Sequence, residues 1–216
     1  MKLGTILKIA GVVLIVAALC LVGYNLLESK RAEKASEMIL EQLLPEIKEP
    51  PAAAPTTEED PASPDETTAE PQETEIPEFI VNPRIDMPAA KVNEISYIGV
   101  LDIQPLGLKL PVAENWSYPI LKKTPARYSG SAYLDDLIIL AHNYDHHFGR
   151  LNQLKSGDKI KFTDIDGNVF TYSVVEVDTL KATAIEEMES GDWDLTLFTC
   201  TLGGQSRVTV RCEKDQ

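Results

Sequence analysis

Three side chains that lie beside apolar segments have the chemistry needed for acyl transfer. Cys200 ends one strand-like segment, His142 ends another, and Arg207 begins a third. A cysteine thiolate is a strong nucleophile, a histidine can move protons as base or acid, and an arginine can stabilise an oxyanion. A lone cysteine in an apolar strand is more often a small packed residue, so the proposed chemistry depends on whether the fold brings the three together.

The spacing of two segments places two of these residues opposite each other. If residues 195–200 and 207–212 form an antiparallel hairpin, Cys200 faces Arg207 with the Cβ atoms about 5 Å apart. Cys212 then lies five residues from Arg207, or ~17 Å along the strand. A disulfide needs Cα atoms within about 7 Å, so Cys200 and Cys212 are predicted to be free thiols, with Cys212 packed in the fold. The pattern alone does not place His142.

The second half of the chain is predicted to be an all-β domain. Further strands are predicted at Tyr97–Ile103, Leu106–Val112, Leu137–His142, Lys159–Thr163 and Asn168–Val177, and short helical turns at Trp116–Lys123 and Phe148–Leu154. Many short strands with few helical windows predict a closed or nearly closed β-barrel over residues 95–216.

The N-terminus is predicted to anchor the chain in a membrane. Ile9–Leu27 contains no charged residue and includes Cys20, and its length suits a helix that crosses a hydrocarbon core of about 30 Å. We expect residues 1–27 to be an uncleaved signal anchor with a cytoplasmic N-terminus and the remaining chain outside the cytoplasm. A cleaved signal peptide is the alternative.

Two segments separate the anchor from the predicted domain. Residues 28–44 have helical periodicity and are expected to form a juxtamembrane helix that is solvated and has no partner. Residues 45–94 are rich in Pro, Glu and Thr and are predicted to be a disordered stalk. Between residues 46 and 78 there are 11 acidic residues and one basic residue. Residues 95–216, with 17 acidic and 12 basic residues, have no basic field for nucleic acid, and residues 80–216 are expected to fold alone.

The motif around Cys200 resembles that of the sortase family. Thr196–Cys200 matches the signature Thr-Leu-x-Thr-Cys, with Arg207 opening the next strand, and His142 follows an apolar strand as in that family. Phe148–Leu151 resembles the segment after the family's histidine, and the likeness extends over about residues 95–213.

The resemblance implies a closed eight-stranded barrel of the sortase type with short helices. It implies a cysteine transpeptidase that cleaves a Leu-Pro-x-Thr-Gly-like sorting motif in surface proteins. Cys200 would hold the acyl group as a thioester, His142 would transfer protons, Arg207 would stabilise the oxyanion, and Thr199 would contact substrate. The amine acceptor would belong to a peptidoglycan precursor or a pilin.

Some features leave the subclass and the function open. The loop 201–206 is short, and no apolar segment follows Arg207, which argues against the pilin-polymerising type with a C-terminal anchor. A hydrolytic cysteine peptidase with the same residues is the first alternative, and a non-catalytic stalked binding module is the second.

Neither of two polar clusters is expected to bind a metal. The group around His142 comprises Asp145, His146 and His147, and the acidic group comprises Asp164, Asp166, Glu186, Glu187 and Glu189. The first is interpreted as a solvated loop and the second as surface acidity, because neither shows the spacing of a ligand set. We therefore expect no metal and no cofactor.

Overall fold

The computed structural model describes residues 3–48 and 77–215. In these residues the helices are α1 (Leu3–Leu43), α2 (Glu78–Val81), α3 (Tyr118–Leu121) and α4 (Ile185–Glu189). The strands are β1 (Ala90–Val92), β2 (Ile95–Ile103), β3 (Leu108–Ala113), β4 (Ala126–Ser129), β5 (Leu137–Ala141), β6 (Lys159–Asp164), β7 (Val169–Lys181), β8 (Leu195–Cys200) and β9 (Ser206–Lys214). Short 3₁₀ turns follow α1, β2 and Arg150.

Eight of these strands close into a barrel. Their order is β2-β3-β4-β5-β8-β9-β7-β6, and antiparallel pairing of β2 with β6 closes the ring. The barrel is mixed, because β3 pairs parallel to β4 and β5 pairs parallel to β8. Strand β1 adds to the beginning of β2 through an antiparallel pair. The predicted closed eight-stranded barrel is therefore confirmed.

The strands carry apolar residues on both faces, and each face has its own core. Leu197 and Val210 belong to the cluster that fills the barrel. Phe198 and Leu140 belong to a second cluster on the outside of the wall. Because successive strand residues point to opposite faces, a barrel strand with apolar residues at both parities needs a covering element outside.

The C-terminal part of α1 is one such covering element. Ile39 and Leu43 are buried in the outer cluster with Tyr97, and Ala32 is also buried. The interpretation of residues 28–44 as a solvated helix without a partner is therefore wrong. These residues do continue the helix that begins in the apolar segment, whose side chains are exposed. α1 is long and apolar enough to cross a membrane.

The ends of the predicted stalk lie against the barrel. Residues 49–76 of that segment lie outside the described residues. Before them, the Lys48 amide donates to the Ile165 carbonyl at 3.0 Å, and its ammonium lies 2.7 Å from an Asp166 carboxylate oxygen. After them, Phe79 stacks on Tyr133 with ring centroids 4.5 Å apart.

Ordered structure also begins earlier than the predicted boundary at residue 95. Met87 is buried in the interior cluster, and β1 forms a hairpin with β2 in which Val92 faces Ile95. The linker predicted over residues 45–94 therefore differs from the structure over its last part. The helix α1, through residues 32–43, joins the apolar segment directly to the barrel.

Candidate active site

The β8–β9 hairpin has the register expected from the sequence. Cys200 is paired with Arg207, and Leu195 with Cys212. Cys200 and Cys212 are free thiols, and Cys212 is fully buried in the barrel, where desolvation raises the pKa of its thiol to about 12. Cys212 is thus an inert packed residue, whereas Cys200 is partly exposed at the strand end.

Parallel pairing of β5 with β8 places His142 beside Cys200. The register ends at the pair Ala141 and Thr199, and the next residues on the two strands are His142 and Cys200. Neighbouring strands lie about 4.8 Å apart, so the two side chains leave the sheet side by side. The buried Thr199 hydroxyl donates to the Ala141 carbonyl at 2.8 Å and ties the two strand ends together.

One cleft of about 180 Å³ is lined by His142, Thr199, Cys200 and Arg207. Its walls are mostly apolar and are formed by Trp116, Tyr118, Tyr128, Ile185, Met188 and Phe198. The structure thus brings all four predicted site residues to one cleft with apolar walls. Contact of Thr199 with substrate stays a prediction. Its hydroxyl already donates its proton to the Ala141 carbonyl.

The short loop between the two strands holds the Arg207 guanidinium. Gly203 and Gly204 adopt positive φ angles of 82° and 72°, a conformation that glycine adopts without steric cost. Nη1 of Arg207 donates to the carbonyls of Gly204 and Ser206, each at 3.1 Å. A guanidinium has five N–H donors. In the described structure Nε and Nη2 make no hydrogen bond, and so can donate to an oxygen in the cleft.

The environment of His142 favours its neutral form. The side chain is half-buried, and desolvation followed by the positive charge of Lys122 lowers the pKa of its imidazole. Both causes disfavour the imidazolium. A neutral imidazole can accept a proton from a thiol or an amine.

The backbone after His142 forms a tight loop that needs a glycine. The Phe148 amide donates to the His142 carbonyl at 3.2 Å, and the Gly149 amide donates to the Tyr144 carbonyl at 2.9 Å. A Cβ atom on Gly149 would lie 2.6 Å from the Asn143 carbonyl oxygen, so no other residue fits without displacement of the loop. The segment 148–151, noted in the sequence for its resemblance, thus shapes the loop that carries the histidine.

Arg211 has a structural environment that differs from that of Arg207. It lies opposite Thr196, four residues further along β9, and is 5% exposed. Its guanidinium donates to the Met188 and Glu187 carbonyls at the end of α4 and to the Thr196 hydroxyl. Arg211 therefore holds α4, one wall of the cleft, against the barrel.

The two polar clusters of the sequence are dispersed by the fold. His146 pairs with Glu33 of α1, with 3.0 Å between Nδ1 and Oε1, and His147 is buried. Asp164 is buried, not on the surface as expected, and its carboxylate accepts hydrogen bonds from Tyr133 and Asn168. In residues 3–48 and 77–215, no group of three or more His, Cys, Asp or Glu residues is arranged to hold a metal ion.

Sequence reasoning missed the element that closes the cleft and the element that supports it. The helix α4 has no capping side chain and falls in a segment with few apolar residues, so no local signal predicts it. The buried residues in the docked part of α1 have the helical spacing i, i+4, i+7 and i+11 from Ala32 to Leu43. This spacing predicts one buried helix face, but it does not identify the surface against which that face packs.

Comparison with known proteins identifies the same region. The family described as Sortase domain matches residues 101–215. No curated protein matches the chain significantly.

Solved structures of sortases share this fold. The sortase C2 of Pilus Island 1 from group B Streptococcus is 26% identical, with 58% of this chain and 77% of that chain covered at a TM-score of 0.50. The sortase C of Streptococcus pneumoniae is 25% identical, with 58% and 71% covered at a TM-score of 0.50. Sortase A from Corynebacterium diphtheriae is 20% identical, with 62% and 63% covered at a TM-score of 0.51. The neighbours thus belong to more than one sortase class.

Proposed function

The chain belongs to the sortase family, and on this basis we propose that it is a membrane-anchored cysteine transpeptidase with Cys200, His142 and Arg207 as catalytic residues. The observation that supports the proposal best is the register of three strands. Cys200 lies opposite Arg207 on β9 and next to His142 across the parallel β5–β8 pair, and all three line one cleft.

The first half-reaction forms a thioester. Neutral His142 takes the thiol proton of Cys200, and the thiolate attacks the carbonyl carbon of the scissile peptide bond. The free Nε and Nη2 donors of Arg207 stabilise the resulting oxyanion. The intermediate collapses when the C–N bond breaks, and His142 returns the proton to the leaving amine. The acyl group then remains on Sγ of Cys200.

The second half-reaction transfers the acyl group to an amine. The amine nitrogen attacks the thioester carbon, His142 accepts its proton, and the C–S bond breaks to release Cys200. Water in place of the amine gives hydrolysis by the same steps, so a cysteine peptidase differs from a transpeptidase only in the acceptor.

The apolar walls of the cleft suit a sorting motif of the Leu-Pro-x-Thr-Gly type in a surface protein. Such a motif has a leucine and a proline to bury before the reacting carbonyl, and Tyr128, Ile185 and Phe198 offer surface for them. A peptidoglycan precursor or a pilin would supply the amine. The solved sortase C of Streptococcus pneumoniae is linked to pilin substrate specificity, and pilins are therefore included among the candidate substrates.

The apolar part of α1 would anchor the enzyme with its N-terminus in the cytoplasm and the barrel outside. Ala32, the first fully buried docking residue of α1, lies five residues after Leu27, or about 7–8 Å along a helix. The headgroup region adds only about 5–8 Å to each side of the hydrocarbon core. The barrel would therefore sit directly at the membrane surface.

The test is mass spectrometry of the enzyme incubated with peptides that contain candidate sorting motifs. We expect an acyl adduct on wild type and none on Cys200→Ala, with unchanged circular dichroism. Products with and without an added amine then separate transpeptidation from hydrolysis. Binding of the peptides without any adduct or cleavage would instead indicate a binding module.

A further inference from the structure

Cys200 lies at the junction of two clefts. Besides the apolar cleft described above, a second cleft of about 380 Å³ is lined by Thr199 and Cys200. The two clefts share no other lining residue. The second is bordered by Asn143, Asp145, Asn152 and Thr201, and is therefore more polar in its side chains than the first.

Strand geometry explains why the clefts diverge from Cys200. His142 and Arg207 line the first cleft, and the residues that directly follow them, Asn143 and Val208, line the second. Arg207 and Val208 are successive residues of β9, so their side chains point to opposite faces of the barrel wall. Val208 packs against the interior cluster, which places the second cleft at the open end of the barrel.

The second cleft carries a carboxylate that has no cation partner in the described structure. Asp145 is exposed and forms no ion pair there. The nearest arginine in sequence, Arg150, is engaged elsewhere. Its Nε donates to the main-chain carbonyl of Asp145 at 3.0 Å, and its Nη2 donates to the Leu106 carbonyl at 2.8 Å.

We propose that the second cleft is the binding site for the amine acceptor, with the Asp145 carboxylate as its recognition group for a primary ammonium. The inference rests on the proposed transpeptidase function. A thioester on Cys200 with its acyl peptide in the apolar cleft leaves the other side of Sγ free for a nucleophile. An acceptor amine is largely protonated near neutral pH, and a carboxylate with amide oxygens nearby is the complement of an ammonium.

Asp145 binds the acceptor, and His142 activates it. An ammonium held beside Asp145 loses a proton to neutral His142, which lies next to Asn143 at the junction of the two clefts. The free amine then attacks the thioester carbon and a C–N bond forms. As the C–S bond breaks, the imidazolium of His142 gives its proton to Sγ of Cys200, and the neutral imidazole then takes the second proton from the new amide nitrogen. Asp145 exchanges no proton in this sequence, so its removal changes acceptor binding and leaves thioester formation intact.

The experiment uses the full chain in detergent micelles with a sorting peptide that the wild type cleaves. Thioester formation and hydrolysis are measured without amine, and transpeptidation is measured with triglycine and with a peptide amide that has a free lysine side chain. For Asp145→Asn we expect hydrolysis within about twofold of wild type and an amine KM raised about threefold to fivefold, the size of an exposed ion pair. The maximal rate at saturating amine should not change.

Two further variants make the result specific. Asp145→Lys should raise the amine KM more than Asp145→Asn, and high salt should reduce the difference between wild type and both variants. Asp86→Asn removes the same charge from another exposed aspartate that does not line either cleft, and should leave the amine KM unchanged.

The outcomes separate this inference from the proposed function. An unchanged amine KM in Asp145→Asn and Asp145→Lys, with normal thioester formation, overturns the acceptor site and leaves the transpeptidase intact. A parallel fall of hydrolysis and transpeptidation also overturns it, because Asp145 would then act in the first half-reaction or in folding. If the wild type forms the thioester but never transfers the acyl group to an amine, the acceptor site is overturned because no acceptor is used. Absence of any thioester refutes the proposed function itself.

Discussion

The hydroxyl of Ser36, on the helix that carries the apolar N-terminal segment, lies 3.1 Å from Nε2 of His147, five residues after His142. The same hydroxyl donates to the Lys123 carbonyl at 2.7 Å. A serine has a single proton to donate, so Nε2 of His147 carries the hydrogen and Ser36 accepts it. α1 thereby fastens two segments at once, the one that follows α3 and the loop that follows His142.

Removal of the Ser36 hydroxyl should loosen both segments. Ser36→Ala removes the hydroxyl that contacts the buried Nε2 of His147 and that donates to the Lys123 carbonyl. We expect the free energy of unfolding to fall by about 1–3 kcal/mol, measured by urea denaturation of residues 28–216. Ser29→Ala on the same helix, where the hydroxyl makes no hydrogen bond within the described structure, is the control. Equal stability of both variants would contradict the fastening role.

Acid should destabilise the fold through His147. Burial, and then the charge of His142, lower the pKa of His147 from 6.5 to about 4. The native state therefore keeps this imidazole neutral while the unfolded chain binds a proton, so stability is lost as the pH falls from 6.5 towards 4. The shift corresponds to roughly 3 kcal/mol.

The measurement is urea unfolding of residues 28–216 at several pH values in this range. His147→Gln keeps a donor for Ser36 and does not titrate, so its stability should depend less on pH than that of the wild type. Carboxylates contribute equally to both proteins and cancel in the comparison. Identical pH slopes would show that His147 is not the responsible group.

The positive charge of Lys122 should influence the pH profile of turnover. Desolvation is the larger cause of the lowered pKa of His142, and Lys122 is the second. Lys122→Gln removes a charge that disfavours the imidazolium, so the pKa of His142 should rise. The limb of the pH–rate profile that reports His142 should therefore move to higher pH. Lys123→Gln, the adjacent residue, removes the same charge without this effect. A shift in the opposite direction, or an equal shift in both variants, would argue against the assignment of that limb.

Arg207 and Arg211 should fail in different ways. Arg207→Ala removes the donors that face Cys200, and loss of an oxyanion donor typically lowers turnover by about a hundredfold to a thousandfold. Arg207→Lys should also be impaired, because an ammonium does not reproduce the planar fork. Steady-state cleavage of a sorting peptide, with stability measured in parallel, is the test.

Arg211→Ala should act chiefly on stability. It leaves the Met188 and Glu187 carbonyls without their donor, at a cost on the order of 3 kcal/mol, and frees α4 from the barrel. A folded Arg211→Ala protein with a larger loss of turnover than Arg207→Ala would reverse the assignment.

The docked part of α1 should be needed for the stability of the barrel. Leu43 is 0% exposed and Leu44 is 42% exposed, so the two form a matched pair. Leu43→Ala should cost about 2–5 kcal/mol and Leu44→Ala less than about 1 kcal/mol, by urea denaturation of residues 28–216. Residues 77–216 alone should be less stable than residues 28–216, because Val92 and Tyr97 lose their cover. Equal stability of the two fragments would restore the sequence-based expectation that residues 80–216 suffice.

The sequence alone determined the local part of the site. The register of Cys200 with Arg207 and the separation of Cys212 follow from the lengths of β8, β9 and the loop between them, since a hairpin has few degrees of freedom. The closed barrel followed from the number of short strands, and the signature at residues 196–200 pointed to the family. The hairpin of β1 was missed because its two turn residues, Asn93 and Glu94, have φ angles of 49° and 65°, and a Glu at positive φ gives no turn signal.

Tertiary structure decided every relationship between segments that are distant in the chain. A parallel pair fixes its register through packing and not through a connecting turn, so only the β5–β8 pairing could place His142 beside Cys200. The partner of α1 could not be predicted from the sequence either. The periodicity of residues 32–43 indicates a buried helix face but does not identify the surface that it covers. The two clefts on either side of Cys200 are lined by residues of six segments, which are 116–121, 128, 140–152, 181–188, 198–202 and 207–208. Long-range packing alone brings these segments together.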